Sequence, residues 1–529
     1  MSDKAPSLLH RRKVREGASR LNQLELPGPP AALGVLTEFF EELHEAGVVY
    51  CHWKSNEHLG AALSGLTDLD LLVERGAARA LGGILTRAGF KRFLAAPDCA
   101  YPGVEDYLIL DPPSGRLAHL HLHYQLTLGE PHLKGYRLPW EHTVLAGRQL
   151  DPVAGVYVSD PNIEFLLLIV RAALKLRLRD VIATTVQQRY FRGGALKEYH
   201  WLVERIDEHR LFGLAQQLIG GNGAQLLLNL SRKPPTIRQL VTFRGAVRPR
   251  LGDYRTYRPA EARRRRWMRE WQWQQGRIAT RLFGAPRASR RTLPQGGTVI
   301  ALLGSDGAGK STLAAEITRW LARKTDVIPV YFGSGDGPVS LARRVLRLPI
   351  AIYRVGWRST PTEPAPRRQR EGVPRPRSPL RELFQMLWAL SVAREKRQRL
   401  TRARRARNLG KIVLCDRFPQ CQIQGTTDGP LLSRWLDHPN GVVSALARWE
   451  MGVYRAAQAC PPDLVVKLHV TPEVASRRRS ETDLEYLADR AEVIRALRYP
   501  SETAVVEVDA DQSMERVLLE VKRAIWQAL

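Results

Sequence analysis

Cysteine is nearly absent. Five residues (Cys51, Cys99, Cys415, Cys421, Cys460) are scattered through 529 positions, odd in number and with no Cys-x-x-Cys pair. That excludes a disulfide framework or a cysteine zinc knot and predicts free thiols in a reducing compartment. No run of eighteen apolar residues occurs, so no ordinary membrane span is expected. No segment repeats, which argues against a solenoid. The first thirty residues are polar and charged, lack an apolar signal region and close on Pro27, Gly28, Pro29 and Pro30. They read as a flexible tail, and the expected location is cytoplasmic. No Ser/His/Asp or Cys/His nucleophile arrangement and no base-reading motif stands out.

Positive charge is what the chain has in excess, at a formal +28. Its placement is uneven. Residues 244–291 carry 15 Lys/Arg against 3 Asp/Glu, and residues 343–411 carry 20 against 4. The remaining 412 residues balance, 46 basic and 46 acidic. Neutral domains bearing two basic segments are therefore expected, not a histone-like chain. In the first segment Arg263–Arg266 and Arg269 interleave with Trp267, Trp271 and Trp273. Three roles fit that pattern: a structural linker, an anionic membrane surface as partner, or nucleic acid. In the second, Leu380, Leu383, Phe384, Leu387 and Trp388 form a helical apolar stripe ahead of a charged run. That run is read as part of the fold, with its basic face exposed near the phosphate site.

The length predicts two to four domains. Residues 31–150 alternate helix and strand patterns, and residues 151–243 have helical spacing throughout. A basic linker is expected over 244–296. A second α/β domain is expected over 297–529, with a Pro/Arg-rich insertion around 343–411.

The most specific motif is Gly304-Ser305-Asp306-Gly307-Ala308-Gly309-Lys310-Ser311-Thr312, between an apolar strand pattern (298–303) and a helical one (313–323). Glycines let successive backbone N–H groups converge on phosphate oxygens. Lys310 supplies a point charge to the β/γ-phosphates, and the Ser311 hydroxyl suits Mg2+. ATP and Mg2+ are the expected cofactors. Asp416 ends the apolar strand 412–414, where a carboxylate can orient a magnesium ion, and Arg417 beside it can hold an acceptor phosphate. Arg477, Arg478 and Arg479 can close over a transferring phosphoryl group, or form a solvated helix face.

These segments together resemble the thymidylate kinase family of nucleoside monophosphate kinases. GSDGAGKST is similar to that family's phosphate loop. KIVLCDRFPQ is similar to its strand ending Asp-Arg-aromatic, here Asp416, Arg417 and Phe418. PDLVVKLHVTPEVASRRRSE resembles the strand and Pro-Glu-Val helix (Pro472, Glu473, Val474) leading into an arginine lid. VVEVDADQSMERVLLEVKRAI resembles the closing strand, with Asp509, and the last helix. The resemblance covers roughly 298–529 and implies a parallel-sheet fold and phosphotransfer from ATP. The chain departs from the family after its second strand. YFGSGDGPVS (331–340) stands where the family has an Arg-Glu-Pro-Gly segment for its nucleotide acceptor. Gly333, Gly335 and Gly337 fit a turn close to a ligand or an ordinary polar loop.

The first half carries His52-Trp53-Lys54-Ser55 and, further on, Gly65-Leu66-Thr67-Asp68-Leu69-Asp70 before an apolar run. In a strand Asp68 and Asp70 share a face, as a Mg2+–nucleotide site requires, though a solvated strand edge would look the same. With LHLHYQL (120–126) this resembles the nucleotidyltransferase fold, an α+β domain here followed by a helical subdomain. His121 stands where that family has a third Asp, and Glu105 or Asp106 are alternative third acids. His119, His121 and His123 alternate on one strand face. Pocket-lining or hydrogen-bonded roles are expected for them ahead of zinc, because no fourth ligand stands out.

The expected protein is thus an α/β multidomain fusion. Its second half is an ATP/Mg2+-dependent kinase of the thymidylate-kinase-like class, acting on a nucleotide or other small phosphate-bearing acceptor. Its first half is a nucleotidyltransferase-like domain, active or not, with Asp68 and Asp70 as metal-site candidates. Two alternatives stand beside it: an NTP-gated assembly protein contacting a polyanionic or membrane partner, and a nucleic-acid end-processing kinase/nucleotidyltransferase.

Overall fold

A computed structural model describes residues 31–97, 99–130, 133–176, 189–283, 290–333, 379–424, 428–478 and 483–529. The protein is α/β, with fourteen strands and sixteen α-helices among the described residues. The strands of the first half are β1 (Tyr50–His52), β2 (Asp68–Val73), β3 (Lys91–Phe93), β4 (Val104–Asp111), β5 (Arg116–His123), β6 (Leu126–Leu128), β7 (Tyr136–Leu138), β8 (Gln149–Asp151) and β9 (Val156–Val158). Those of the second are β10 (Val299–Gly304), β11 (Val327–Tyr331), β12 (Ile412–Asp416), β13 (Leu464–His469) and β14 (Ala504–Asp509). The residues form two compact units. One takes the stretch ending at Gly89, Ala118–Glu130 and Tyr136–Thr256. The other takes Phe90–Leu117, a short stretch ending at Gly135, and Tyr257–Leu529.

In the first unit the sheet runs β5-β2-β1-β9-β8. β2 is antiparallel to β1 and parallel to β5, with Asp68 opposite His119, Asp70 opposite His121 and Leu72 opposite His123. Side chains alternate along a strand, so the register brings both aspartates and three histidines to one face. Leu69, Leu71, Leu120 and Leu122 are buried on the other. Beyond the sheet the chain is helical, as its spacing predicts. The helix Pro161–Lys175 opens with Asp160 accepting from the Asn162 N–H and with Pro161 at the first position, where its missing N–H costs nothing. It is apolar on nearly every side and packs against the helices Gly194–Val203, Glu208–Ile219 and Ile237–Leu251, with Gly221–Ser231 completing the same core. Each such Leu or Phe removed from water contributes about 1.5–3 kcal/mol before entropy is subtracted.

In the second unit five strands form a fully parallel sheet in the order β11-β12-β10-β13-β14. β10 and β12 are buried at every position, as strands covered on both faces must be, and their sequences are accordingly unbroken apolar runs. The β3–β4 hairpin belongs to this unit, where Phe93, Leu108 and Leu110 join the core of Ile300, Leu302, Val466 and Leu468. The stretch 244–296, expected as linker, is ordered over much of its length. It contains the helix Pro259–Phe283, Thr292 pairs with Leu94, and Leu293 is buried.

The helix Pro379–Asn408 packs through a face other than its visible apolar stripe. Leu383 and Leu387 of the apolar stripe are about half exposed. The buried face lies further along, at Ala389, Val392, Ala393, Lys396, Leu400, Ala403 and Ala406. Small residues let this helix sit close against β11 and β12, and the larger leucines fall outside that seam. In the helix Pro259–Phe283 no described side chain is buried. Trp267 and Trp271 lie exposed and stacked on each other, with centroids 5.9 Å apart and planes 9° from parallel. The side chain of Trp273, residues 334–378 with Gly335 and Gly337, and Arg479 lie outside what is described. No described helix is long and apolar enough to cross a membrane.

Candidate functional site

β10 is the central strand of the parallel sheet and delivers the chain at Gly304 to the carboxyl edge, where open α/β sheets hold their ligands. The turn to the helix Lys310–Ala322 passes through Gly307 (φ +85°) and Gly309 (φ +80°), a backbone region that favours glycine. Lys310 is buried and donates to the Ser305 carbonyl at 2.7 Å, with Asp306 Oδ1 3.9 Å away. Burial, then the Arg417 charge, pushes the Lys310 ammonium down to about 8, against the pull of Asp306, Asp416 and Asp428. The Ser311 hydroxyl donates to Asp416 Oδ2 at 2.9 Å. The other carboxylate oxygen, Oδ1, is buried without a hydrogen-bond partner.

Arg417 follows β12 in the left-handed region at φ +69°, an uncommon setting for a non-glycine residue. Its guanidinium meets Asp306 Oδ1 at 2.6 Å and Asp428 Oδ2 at 3.6 Å. Burial alone would lower its pKa, but Asp428 and Asp306 more than offset that and keep it charged. Asp428, also left-handed at φ +63°, takes Lys396 as well, whose Nζ donates to its carbonyl at 3.0 Å.

Asp306, Lys310, Ser311, Asp416 and Arg417 border a cavity of about 830 Å3 that also meets Gly307, Thr312, Tyr331, Arg478, Gln512 and Met514. Arg478 is fixed at its rim, donating to the Ala510 carbonyl at 3.0 Å. Arg477 points elsewhere, its Nε on the Glu473 carbonyl at 3.4 Å, and does not border the cavity. Phe418 is buried edge-on against Phe332. Asp509 accepts from the Asp511 N–H at 2.9 Å, holding the turn after β14. Loop amides, a helix start, three cations and a half-satisfied carboxylate converge on one space, an arrangement that can hold a polyanion with its counter-ion.

Spacing arguments missed Tyr331, Lys396, Asp428, Gln512 and Met514. Asp428 and Lys396 meet Arg417 only through the tertiary fold. Gln512 and Met514 had a usable signal, since they follow a parallel strand at its carboxyl end.

In the first unit Asp70 is the focus. Its Oδ1 lies 2.8 Å from Lys54 Nζ, 3.3 Å from His121 Nδ1 and 3.2 Å from His123 Nε2. Burial alone would raise the Asp70 pKa. Lys54 and the two imidazoles outweigh it and hold the carboxyl well below the usual range. His123 is pushed down to about 4, chiefly by burial. Asp68 pairs instead with His119 Nδ1 at 2.9 Å. Of the alternative third acids, Glu105 pairs with Arg92 at 2.9 Å and Asp106 with Arg291 at 2.6 Å.

Behind this face Glu164 is fully buried. It accepts from the Asn56 N–H at 3.1 Å, Asn56 Nδ2 at 2.6 Å and Ser159 Oγ at 3.3 Å. Burial raises its carboxyl to about 7 despite the Asn56 hydrogen bonds. An acid raised on folding binds its proton more tightly in the folded state. Stability from this group is therefore full below the unfolded value near 4.5 and is lost as pH rises toward 7. Glu164→Gln is expected to remove that loss, flattening the stability profile of the first unit between about pH 5 and 7 in urea titrations.

No protein-family model matches the chain. The chain is 26% identical over 233 residues to the uncharacterized ATP-binding protein YghR of Escherichia coli strain K12, covering 43% of this chain and 86% of that protein. It is likewise 26% identical over 232 residues to the uncharacterized ATP-binding protein YghS of the same strain, covering 44% of this chain and 93% of that one.

Proposed function

We propose that the second unit binds ATP with Mg2+ at the loop Gly304–Thr312 and transfers the γ-phosphoryl group to a small acceptor, in the manner of the thymidylate kinases it resembles. The observation that carries this reading is the Ser311–Asp416 pair. One Asp416 oxygen takes the Ser311 hydroxyl and the other is buried and unpartnered. Hydroxyl and carboxylate oxygens are the hard donors that magnesium takes, so the residues fit the ion. A magnesium ion there would screen the charge of the phosphates. The names of the two E. coli proteins support ATP as the nucleotide.

The roles follow from placement. The loop amides and Lys310 hold the β- and γ-phosphates. Arg478, pinned at the rim, faces the charge that develops during transfer. Arg417 is shared between Asp306 and Asp428, so an acceptor phosphate that reaches it would compete with these carboxylates for the guanidinium. That competition favours an acceptor with both a phosphate for Arg417 and a hydroxyl for a displaced carboxylate, as a nucleotide or sugar phosphate has.

The test is transfer of labelled phosphate from ATP to a panel of nucleoside monophosphates, sugars, sugar phosphates and nucleic-acid ends. Transfer to one class that is lost in Asp416→Asn is the expected result. Tight ATP binding with no transfer to any of them sinks the kinase reading. It is also what the second reading expects, in which occupancy switches a contact with a polyanionic partner. The helix Pro259–Phe283, arginine-rich and with none of its described side chains buried, favours that second reading.

A further inference from the structure

We infer that the first unit carries a site for a divalent transition-metal ion, made by Asp70, His121 and His123, and that this site is unsuited to magnesium. The inference concerns the first unit alone and stands or falls separately from the kinase reading. Its basis is geometric. Ligands about 2.0–2.2 Å from one metal ion, at angles between octahedral and tetrahedral, stand roughly 3.0–3.5 Å from each other. Asp70 Oδ1 stands 3.3 Å from His121 Nδ1 and 3.2 Å from His123 Nε2. One ligand atom from each of the three residues falls within 4.8 Å of the other two. Two edges of that triangle thus already have the spacing of paired ligands on one ion, and the third is no longer than 4.8 Å.

The sheet holds the triangle in place. Asp70 and His121 are register partners across β2 and β5, and His123 follows two positions on, so both imidazoles share the face of the carboxylate. His123 is 2% exposed and is braced edge-on by Trp53, with ring centroids 5.2 Å apart. Its far nitrogen, Nδ1, is buried without a hydrogen-bond partner, so no neighbour on that side draws the ring away from the triangle. His121 is partly exposed, which leaves a path for the ion.

The chemistry of the donors sets the class of ion. A nucleotidyltransferase-like magnesium site needs several carboxylates, and here two imidazoles stand in the set with Asp70. Imidazole suits zinc, cobalt and their neighbours and suits magnesium poorly. Asp68, the other acid of the pair, is engaged by His119. Lys54 Nζ, 2.8 Å from Asp70 Oδ1, places a positive charge against the oxygen that an ion would use. It acts as a built-in competitor, so the ion must displace the ammonium to bind.

The experiment is titration of the full-length protein, without nucleotide, with Co2+ followed by visible absorbance, and with Zn2+ in competition. One equivalent of Co2+ is expected, displaced by Zn2+ but not by millimolar Mg2+. His121→Ala is expected to weaken it at least tenfold with circular dichroism unchanged. Lys54→Met is expected to tighten it, and His121→Asp to shift preference toward Mn2+ and Mg2+. Asp416→Asn, in the other unit, is expected to leave it unaltered. The partly exposed His121 keeps the test usable if His123→Ala fails to fold. Absence of Co2+ and Zn2+ binding in wild type at micromolar concentrations overturns the inference, as does binding that survives His121→Ala undiminished.

Discussion

Lys310→Met is expected to weaken ATP binding about a hundredfold, roughly 2.7 kcal/mol, without destabilising the ligand-free protein. The two effects have one source. The Lys310 ammonium sits buried, donating to the Ser305 carbonyl with Asp306 further off. Its charge is held there at a cost that a polyphosphate would offset. Methionine keeps the aliphatic stem and removes the charge, so the empty site no longer bears that cost while the filled site loses its cation. Equilibrium dialysis with labelled ATP and a urea titration of the same sample separate the two.

The pH dependence carries the same signature. A lysine lowered to about 8 in the free protein rises again when a polyanion settles on it. Binding then takes up a proton between about pH 8 and 10, and ATP affinity falls as pH climbs through that range. In the ligand-free protein the folded value lies below the unfolded one, so the group adds stability as pH rises from about 8 toward 10.5. Calorimetry in buffers of different ionisation enthalpy measures the uptake, which is expected to vanish in Lys310→Met. Wild-type affinity insensitive to pH over this window would show that Lys310 does not meet the phosphates.

Gly307→Ala is the second large effect expected. A Cβ at position 307 would stand 2.8 Å from the Ala475 carbonyl oxygen and 3.0 Å from its Cα, and the backbone there has φ +85°. Both obstacles are backbone in origin, so no side chain can rotate away. The left-handed conformation costs alanine about 1–2 kcal/mol, and overpacking against a fixed backbone adds about 1–3 kcal/mol. Relief requires the loop to lift from the helix Pro472–Arg478, which carries Arg478 at the cavity rim. ATP affinity is therefore expected to fall at least tenfold, with a melting temperature several degrees lower. Gly452→Ala, in the helix Gly441–Gln458 with nothing within 4 Å of the new Cβ, serves as the control and is expected to be neutral or mildly stabilising.

Local spacing made the loop Gly304–Thr312 readable. The glycines, Lys310 and Ser311 lie in one short segment, and Asp416 ends an apolar run, so the strand-end rule for parallel sheets brings them together. Asp428 was not readable, because its partners Arg417 and Lys396 lie on separate elements and a DG pair in a loop looks like any turn. The packing face of the helix Pro379–Asn408 was hidden for a physical reason. Leu383 and Leu387 of the visible stripe are about half exposed, and the face that packs is built largely from alanines, with Val392, Leu400 and the buried Lys396 among them. In the first unit the shared face of Asp68 and Asp70 was visible in the alternation. That His121 and His123 would converge on Asp70 depended on the parallel register of β2 with β5, which alternation alone does not specify.

The stacked indoles of Trp267 and Trp271 have an optical consequence. Of twelve tryptophans, Trp53, Trp140, Trp435 and Trp526 are buried, whereas this pair faces water in near-parallel contact. Two transition dipoles held that close couple, so the pair should give a split near-ultraviolet dichroism band and be quenched by iodide well before the interior indoles. Whatever comes to lie on that helix will therefore report its arrival as a loss of quenching and a change in the split band, with no label attached to the protein.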